Sequence, residues 1–528
     1  MKNSIWTKRL LRSFLPFCLF TFLPLSVAAQ DEWIVKGDCT PGLNDEAGTT
    51  RGLQRHLPAI NKNWDPNRIY RQMVILVSYK DCDFLMPDAR ATYDSIFNCN
   101  GYNQGVGVGC VADYFRDQSN GQFNLQFDVY GPIKIDTLAC PYSNPNSNTR
   151  NFGRPQLEEA TQMLFEQYPD ISYSEYDWNG NGSVNQVVYV CAGYAGNQGS
   201  KGYGYIWPNT STLNNTLKTP DGLYISNYTV SAERWTNNRS FGIGTICHEF
   251  SHSLGLPDIY PTSSSAGFSV LDEWDLMDGG NFTNYGWSPA SYTPMEKYLM
   301  GWLDFVDLTG PATIKDMKPS TDGGEVYRIK HTENEWLLLE NRQHLGWDLG
   351  VPGRGLVIYH AQYDKTSWSG NSVNNNKDKR RYELVNADNL DYAGWDVVFY
   401  RNYDAGLVKN PWRNPDRMNS YYLSTSPYPW TTDSTDFVNA ELTDNSVPSA
   451  RMNGKNAQGS LLLGKSITNI RMSDDGLISF DFMGGDPNAI SVVTYQQPTQ
   501  QYYNLQGQQV AVPRKGVFIL NRKKIIIH

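Results

Sequence analysis

The chain has 528 residues, with 54 Asp and Glu against 45 Lys and Arg and a formal charge of −9. That length exceeds one ordinary core, so two or more domains are expected, and 40% hydrophobic with 13% aromatic content excludes a disordered chain. The acidic balance argues against a nucleic-acid partner, because phosphate contacts need clustered Lys and Arg.

Residues 1–29 read as a secretory signal peptide: a basic start, the apolar run SFLPFCLFTFLPLSV, and small residues before the cleavage point. The run is too short for a transmembrane anchor, and no later stretch is apolar enough to span a bilayer. Loss of Lys2, Lys8, Arg9 and Arg12 with the leader takes the formal charge to −13. Seven cysteines remain, an odd number that leaves one thiol over even where disulfides form, and Cys247 is the expected buried one.

Residues 30–65 are polar and turn-rich, an N-terminal arm or pro-segment. QMVILVSY (72–79) has strand length and VADYFRDQSNG (111–121) helical spacing. QFNLQFDVYG (122–131) alternates as a half-buried strand does. RPQLEEATQMLFEQYP (154–169) is an amphipathic helix bounded by Pro155 and Pro169, and NQVVYVCAG (185–193) is a buried strand. Strands alternating with helices imply a mixed sheet in an α/β layer over 66–310. Beyond about 310 come short strands divided by Gly, Pro, Asn and Asp, including EVYRIKH, NEWLLLENRQ, GRGLVIYHAQYD and GLISFDFMG, so a β-rich domain is expected over 311–485. A small β tail, 490–528, closes the chain.

The chemistry concentrates in CHEFSHSLGLPD (247–258), which uses two of only 7 histidines. On an α-helix His248 and His252 lie on one face a turn apart and can bind one ion through their imidazoles. Glu249 points to the side, where it can hydrogen-bond a water on that ion. A catalytic zinc needs a third protein ligand and an open position. Gly255 can end the helix in a left-handed conformation, and Asp258 can then offer a carboxylate. Glu273 or Asp275 can serve instead if the loop runs differently. His331, His344 and His360 are expected to be satisfied residues of the β domain, not ligands.

This run matches the extended pattern HExxHxxGxxD and resembles the immune-inhibitor-A-like peptidases, the M6 group of zincins. WDLMDGG (274–280) resembles the family's methionine turn, with Met277 supporting the site by packing. YTPMEKYLMGW (292–302), LENRQHLGWDLGVPGRGLVIYH (339–360) and GCVADYFRDQSNGQFNLQFDVYGP are similar to other family segments. The resemblance spans about residues 65–365, and the tail suggests a Bacteroidetes-type secreted member. It implies an α+β zincin-like (metzincin-like) catalytic domain with a mixed sheet and an HExxH helix. It also implies a secreted zinc endopeptidase acting on proteins or peptides, with His248, His252 and Asp258 as Zn2+ ligands and Glu249 as general base. Zinc would bring the pKa of its water to about 7 and polarise the scissile carbonyl, and Glu249 would relay the proton to the leaving amine. Tyr285 or Tyr292 can donate to the oxyanion, although a structural role suits either tyrosine as well.

A second loop, DWNGNGSVNQ, carries oxygens at Asp177, Asn179, Asn181 and Asn185 with Gly182 at the turn, the alternate spacing of a calcium loop. It lacks the twelfth-position Glu, so a structural Ca2+ competes with an ordinary Asn-Gly turn. The tail resembles the C-terminal sorting signals of exported Bacteroidetes proteins, which would make outer-membrane export machinery a partner and the cell surface or medium the destination. The alternative function is a non-enzymatic surface binding or adhesion protein on a zincin scaffold.

Overall fold

The computed structural model describes residues 64–103, 107–141, 150–198, 202–235, 237–263, 269–390, 423–431 and 438–486, and the backbone of short strands between 490 and 527. The expected leader and all but the last two residues of the expected N-terminal arm lie outside the described residues. The described architecture is mixed α+β, with few helices.

The first sheet holds five strands: β1 (Ile69–Ser78), β2 (Asn124–Lys134), β3 (Val187–Tyr194), β4 (Asn209–Lys218) and β5 (Tyr224–Arg234). Their order is β2-β1-β3-β5-β4. All neighbours are parallel except β4, which runs antiparallel to β5 at the edge. The apolar run of β1 suits a central strand covered on both faces. Its period of two divides the core: Val74 and Leu76 face one side, and Met73, Ile75 and Val77 the other. The second side is covered by α3 (Arg154–Gln167), through Leu157, Ala160 and Leu164. The first is covered by α1 (Ala89–Asn98), α2 (Val111–Gln118) and α4 (Gly244–Ser253), which carries the histidine pair. α5 (Pro294–Leu299) follows, opened by a capping box between Thr293 and Glu296.

A second sheet is formed by β6 (Val306–Asp307), β8 (Tyr327–Thr332), β9 (Glu335–Arg342), β10 (Gly355–Gln362) and β11 (Tyr382–Leu384), in the order β11-β10-β9-β8-β6. A third pairs β7 (Ala312–Met317) with β15 (Ile478–Phe482), which carries β14 (Ile467–Met472) on its far side, while β7 also takes β16 (Ile490–Ser491). β12 (Trp430–Thr431) and β13 (Val438–Asn439) form a separate pair. β9 is buried along its whole length. Trp336 and Leu338 join the core that contains α4, whereas Leu337 and Leu339 join Ile314, Phe480 and Ile478 of the third sheet. One hydrophobic core therefore runs from the histidine helix across residue 310 into the second sheet. Among the described residues the last strands, β17 (Tyr502–Tyr503), β18 (Gln509–Val510), β19 (Gly516–Leu520) and β20 (Lys523–Ile527), pair only with one another.

Candidate metal centre

α4 enters under a tight crossing: a Cβ on Gly244 would come within 1.9 Å of the Asn281 carbonyl, so only glycine fits. The helix is buried from Gly244 to His252, and Gly255 ends it at φ 109°, turning the chain back as the sequence predicts. His248 and His252 then face Asp258. The Asp258 Oδ1 lies 3.3 Å from His248 Nε2 and 3.0 Å from His252 Nε2. Among the described residues this is the one group of three or more His, Cys, Asp or Glu whose ligand atoms converge, all within 4.8 Å of one another.

The rings are set from behind. His248 Nδ1 is 2.8 Å from the Leu276 carbonyl and His252 Nδ1 is 2.8 Å from the Leu256 carbonyl. A carbonyl can only accept, so each Nδ1 carries the proton and each Nε2 presents a lone pair to the centre. His248 Nε2 and Asp258 Oδ1 are buried without a hydrogen-bond partner. Such atoms are costly unless something fills the space between them, and two imidazoles with one carboxylate are the donor set of a catalytic zinc site. The residues fit the ion.

The buried groups of the centre shift one another's proton affinities. Burial by itself would raise the Asp258 carboxyl, yet the His252 and His248 rings hold it well below the ordinary range, so it is an anion. Burial opposes protonation of His248, but the Asp258 contact and the nearby Glu249 outweigh it and raise its pKa. Glu249 is buried beside the pair. Burial pushes its carboxyl up, offset in part by His252 and His248, which moves it toward the range of a general base. The Thr210 hydroxyl on edge strand β4 donates to the Glu249 carbonyl, tying the sheet rim to the helix.

Residues 61–302 match the model of the immune inhibitor A peptidase M6 catalytic domain. That stretch is similar to an M6 peptidase catalytic domain. Immune inhibitor A of Bacillus thuringiensis subsp. alesti is 22% identical over 323 residues, covering 52% of this chain and 45% of that protein. The pre-pro-metalloprotease PrtV of Vibrio cholerae serotype O1 is 21% identical over 267 residues, covering 45% and 28%. The chain thus spans less than half the length of these curated relatives.

Within and beyond this matched stretch, the other predicted residues fall as follows. Met277 is fully buried, and its carbonyl accepts from Ile259 N at 2.8 Å, so the turn holds the first histidine through Leu276 and the aspartate loop through Met277. Glu273 and Asp275 stand outside the converging group. Asp275 instead takes the Met277 amide at 3.0 Å, and burial together with Glu296 pushes its carboxyl up. Tyr292 is fully buried with its hydroxyl against Ser251, and it packs on Tyr114 and Trp302, so its role is to anchor α4. Tyr285 is 39% exposed under the Arg239 guanidinium. Neither tyrosine is brought to the converging group by any contact described. Tyr260, which no motif in the sequence marks, stacks parallel to His248 with ring centres 6.3 Å apart.

The calcium expectation finds no support in the loop's hydrogen bonds. Asp177 accepts from the amides of Asn181 (3.1 Å) and Gly182 (2.7 Å), Asn181 Oδ1 from Ser183 N (3.0 Å), and Asn185 Oδ1 from Trp178 N (2.6 Å). Asn179 is exposed. These oxygens serve the loop's own backbone as in an Asx turn, and only one carboxylate is present. His331 Nε2 and His344 Nε2 meet the carbonyls of Gly454 and Val351, and His360 meets Glu335, while His331 Nδ1 is buried without a hydrogen-bond partner. Cys247 is a buried thiol whose pKa burial raises well above normal.

Proposed function

We propose that this chain is an exported zinc-dependent endopeptidase with a zincin-like catalytic domain over 66–310 and a β-rich domain over 311–485. The observation that carries the reading is the convergence of His248 Nε2, His252 Nε2 and Asp258 Oδ1, two of them buried with no partner of their own. In this reading those three residues hold Zn2+. Bound there, zinc supplies Lewis acidity toward a peptide carbonyl and acidifies water. Glu249 takes a proton from the attacking water at its carboxylate and delivers it to the leaving nitrogen. The backbone carbonyls of Leu276 and Leu256 keep the two imidazoles in the ligating tautomer throughout. Protein or peptide substrates are supported by the match to the M6 peptidase model and by the likeness to a metalloprotease.

The adhesion alternative leaves Glu249 unexplained. A binding scaffold gains nothing from burying a carboxyl whose pKa is displaced upward beside two imidazoles. Export rests on the leader at 1–29, and no described helix is long and apolar enough to cross a membrane. The self-paired strands from Tyr502 to Ile527 suit an independent address module for outer-membrane export. Cell fractionation of full-length protein and of a 490–528 deletion tests this, and equal export of both refutes it. For the enzyme, the test is casein cleavage by the purified chain with and without a chelator, alongside Glu249→Gln. Cleavage that survives complete metal removal, or persists at wild-type rate in Glu249→Gln, overturns the reading.

A further inference from the structure

Asp258 has two carboxylate oxygens, and only Oδ1 faces the histidines. Its other oxygen, Oδ2, receives the Asn371 Nδ2 amide at 2.6 Å, while Asn371 Oδ1 accepts the Asp258 backbone N–H at 2.6 Å. This two-point ring fixes both the backbone and the side chain of Asp258, and it fixes the amide of Asn371 too, since a flipped amide would oppose donor to donor and acceptor to acceptor. Asn371 follows α6 (Lys365–Ser369), at φ 55°, a left-handed conformation that asparagine tolerates better than other residues with a Cβ. It is 113 residues from Asp258 and outside the 61–302 stretch that matches the M6 model. Its neighbours hold the same loop at other points: Asn374 Nδ2 donates to the Ile259 carbonyl at 2.9 Å, and Asn375 Oδ1 accepts Thr262 N at 2.7 Å.

We infer that Asn371 is the positioning residue for the third metal ligand, turning Asp258 Oδ1 into the site by occupying Oδ2, so that metal affinity depends on the segment after β10. The inference rests on the zinc reading above. A neutral amide suits this role, because it removes one oxygen from competition for the ion and leaves the carboxylate its negative charge, which a Lys or Arg partner would offset. Without it, Asp258 regains side-chain rotation that must be frozen again at each binding event.

The test measures zinc affinity by chelator competition, and the visible spectrum of the Co2+-loaded chain, for full-length wild type, Asn371→Ala, Asn371→Gly and Asn375→Ala. Asn371→Ala puts a Cβ without a polar group at positive φ, so Asn371→Gly removes the amide without that strain. Asn375→Ala loosens the same loop at Thr262 and leaves the Asp258 pair intact. Expected is a zinc affinity at least about tenfold weaker and an altered Co2+ spectrum in both Asn371 variants, with Asn375→Ala close to wild type. Wild-type zinc affinity and Co2+ spectrum in Asn371→Gly overturn the inference, as does equal weakening by Asn375→Ala. A wild-type chain that takes up no zinc overturns instead the function proposed above.

Discussion

His360 offers a stability test that is independent of the metal. Its Nε2 lies 2.8 Å from Glu335 on β9 and its Nδ1 3.4 Å from Glu383 on β11, and its side chain is only 5% exposed. Glu335 also accepts the amides of Asn453 (2.6 Å) and Gly454 (2.9 Å), so the imidazolium knots three strands to a distant loop. Burial opposes the charge, but Glu335 and Glu383 outweigh it and raise the pKa from 6.5 to about 9. A folded-state pKa above the unfolded one stabilises fully below the unfolded value and is lost as pH climbs through the folded value. At about 1.4 kcal/mol per tenfold change in proton affinity, the protonated knot contributes about 3 kcal/mol below about pH 6.5, gone above about pH 10. The lowered Glu335 carboxyl reports the same interaction from its other side and is not added. Denaturant unfolding of wild type and His360→Gln across this range, both metal-free, measures it. The gap between the two proteins should be about 3 kcal/mol at the acid end and close by the alkaline end. A gap that stays constant with pH refutes the argument.

Glu249→Gln should retain zinc by metal analysis and lose casein hydrolysis by roughly 10²–10⁴-fold, because the ligands remain while the proton acceptor is gone. His248→Ala or His252→Ala should lose both zinc and activity, and Asp258→Ala should weaken zinc by more than about tenfold in chelator competition. Arg342→Met should cost about 3–5 kcal/mol in unfolding measurements, since it strands Asp348, now bonded at 2.6 and 2.8 Å, in a fully buried setting. Tyr292→Phe should lower stability by about 1 kcal/mol, from its lost bond to Ser251, with kcat within about threefold of wild type.

The histidine helix was legible because its chemistry is local: one turn separates two ligands, and Gly255 marks the exit toward Asp258. β1, β3 and β9 were legible as apolar runs bounded by turn residues. β4 was not, since NTSTLNNTLK at a sheet edge has the polar content of a loop, and its strand character comes from β5 alone. α1 escaped because a single turn of Tyr93, Ile96 and Phe97 carries most of its buried face. In the site, what the sequence hid was the support. Asn371 lies in an asparagine-rich stretch that reads as any surface turn, and its pairing with Asp258 exists only once β10 has brought α6 back to the helix exit. The calcium spacing does not decide between two readings for the reverse reason: a run of Asp and Asn can satisfy its own amides as readily as an ion.

The two carbonyls that hold the imidazoles come from Leu276 and Leu256, and a carbonyl belongs to every amino acid. No side-chain replacement at either position deletes the acceptor. The protonation pattern of the pair is therefore insulated from mutational drift, and a lineage can rewrite the side chains of both loops so long as the backbone keeps its path. Vulnerability moves to whatever bends that path, such as a proline entering beside Leu276 or the loss of glycine at position 255.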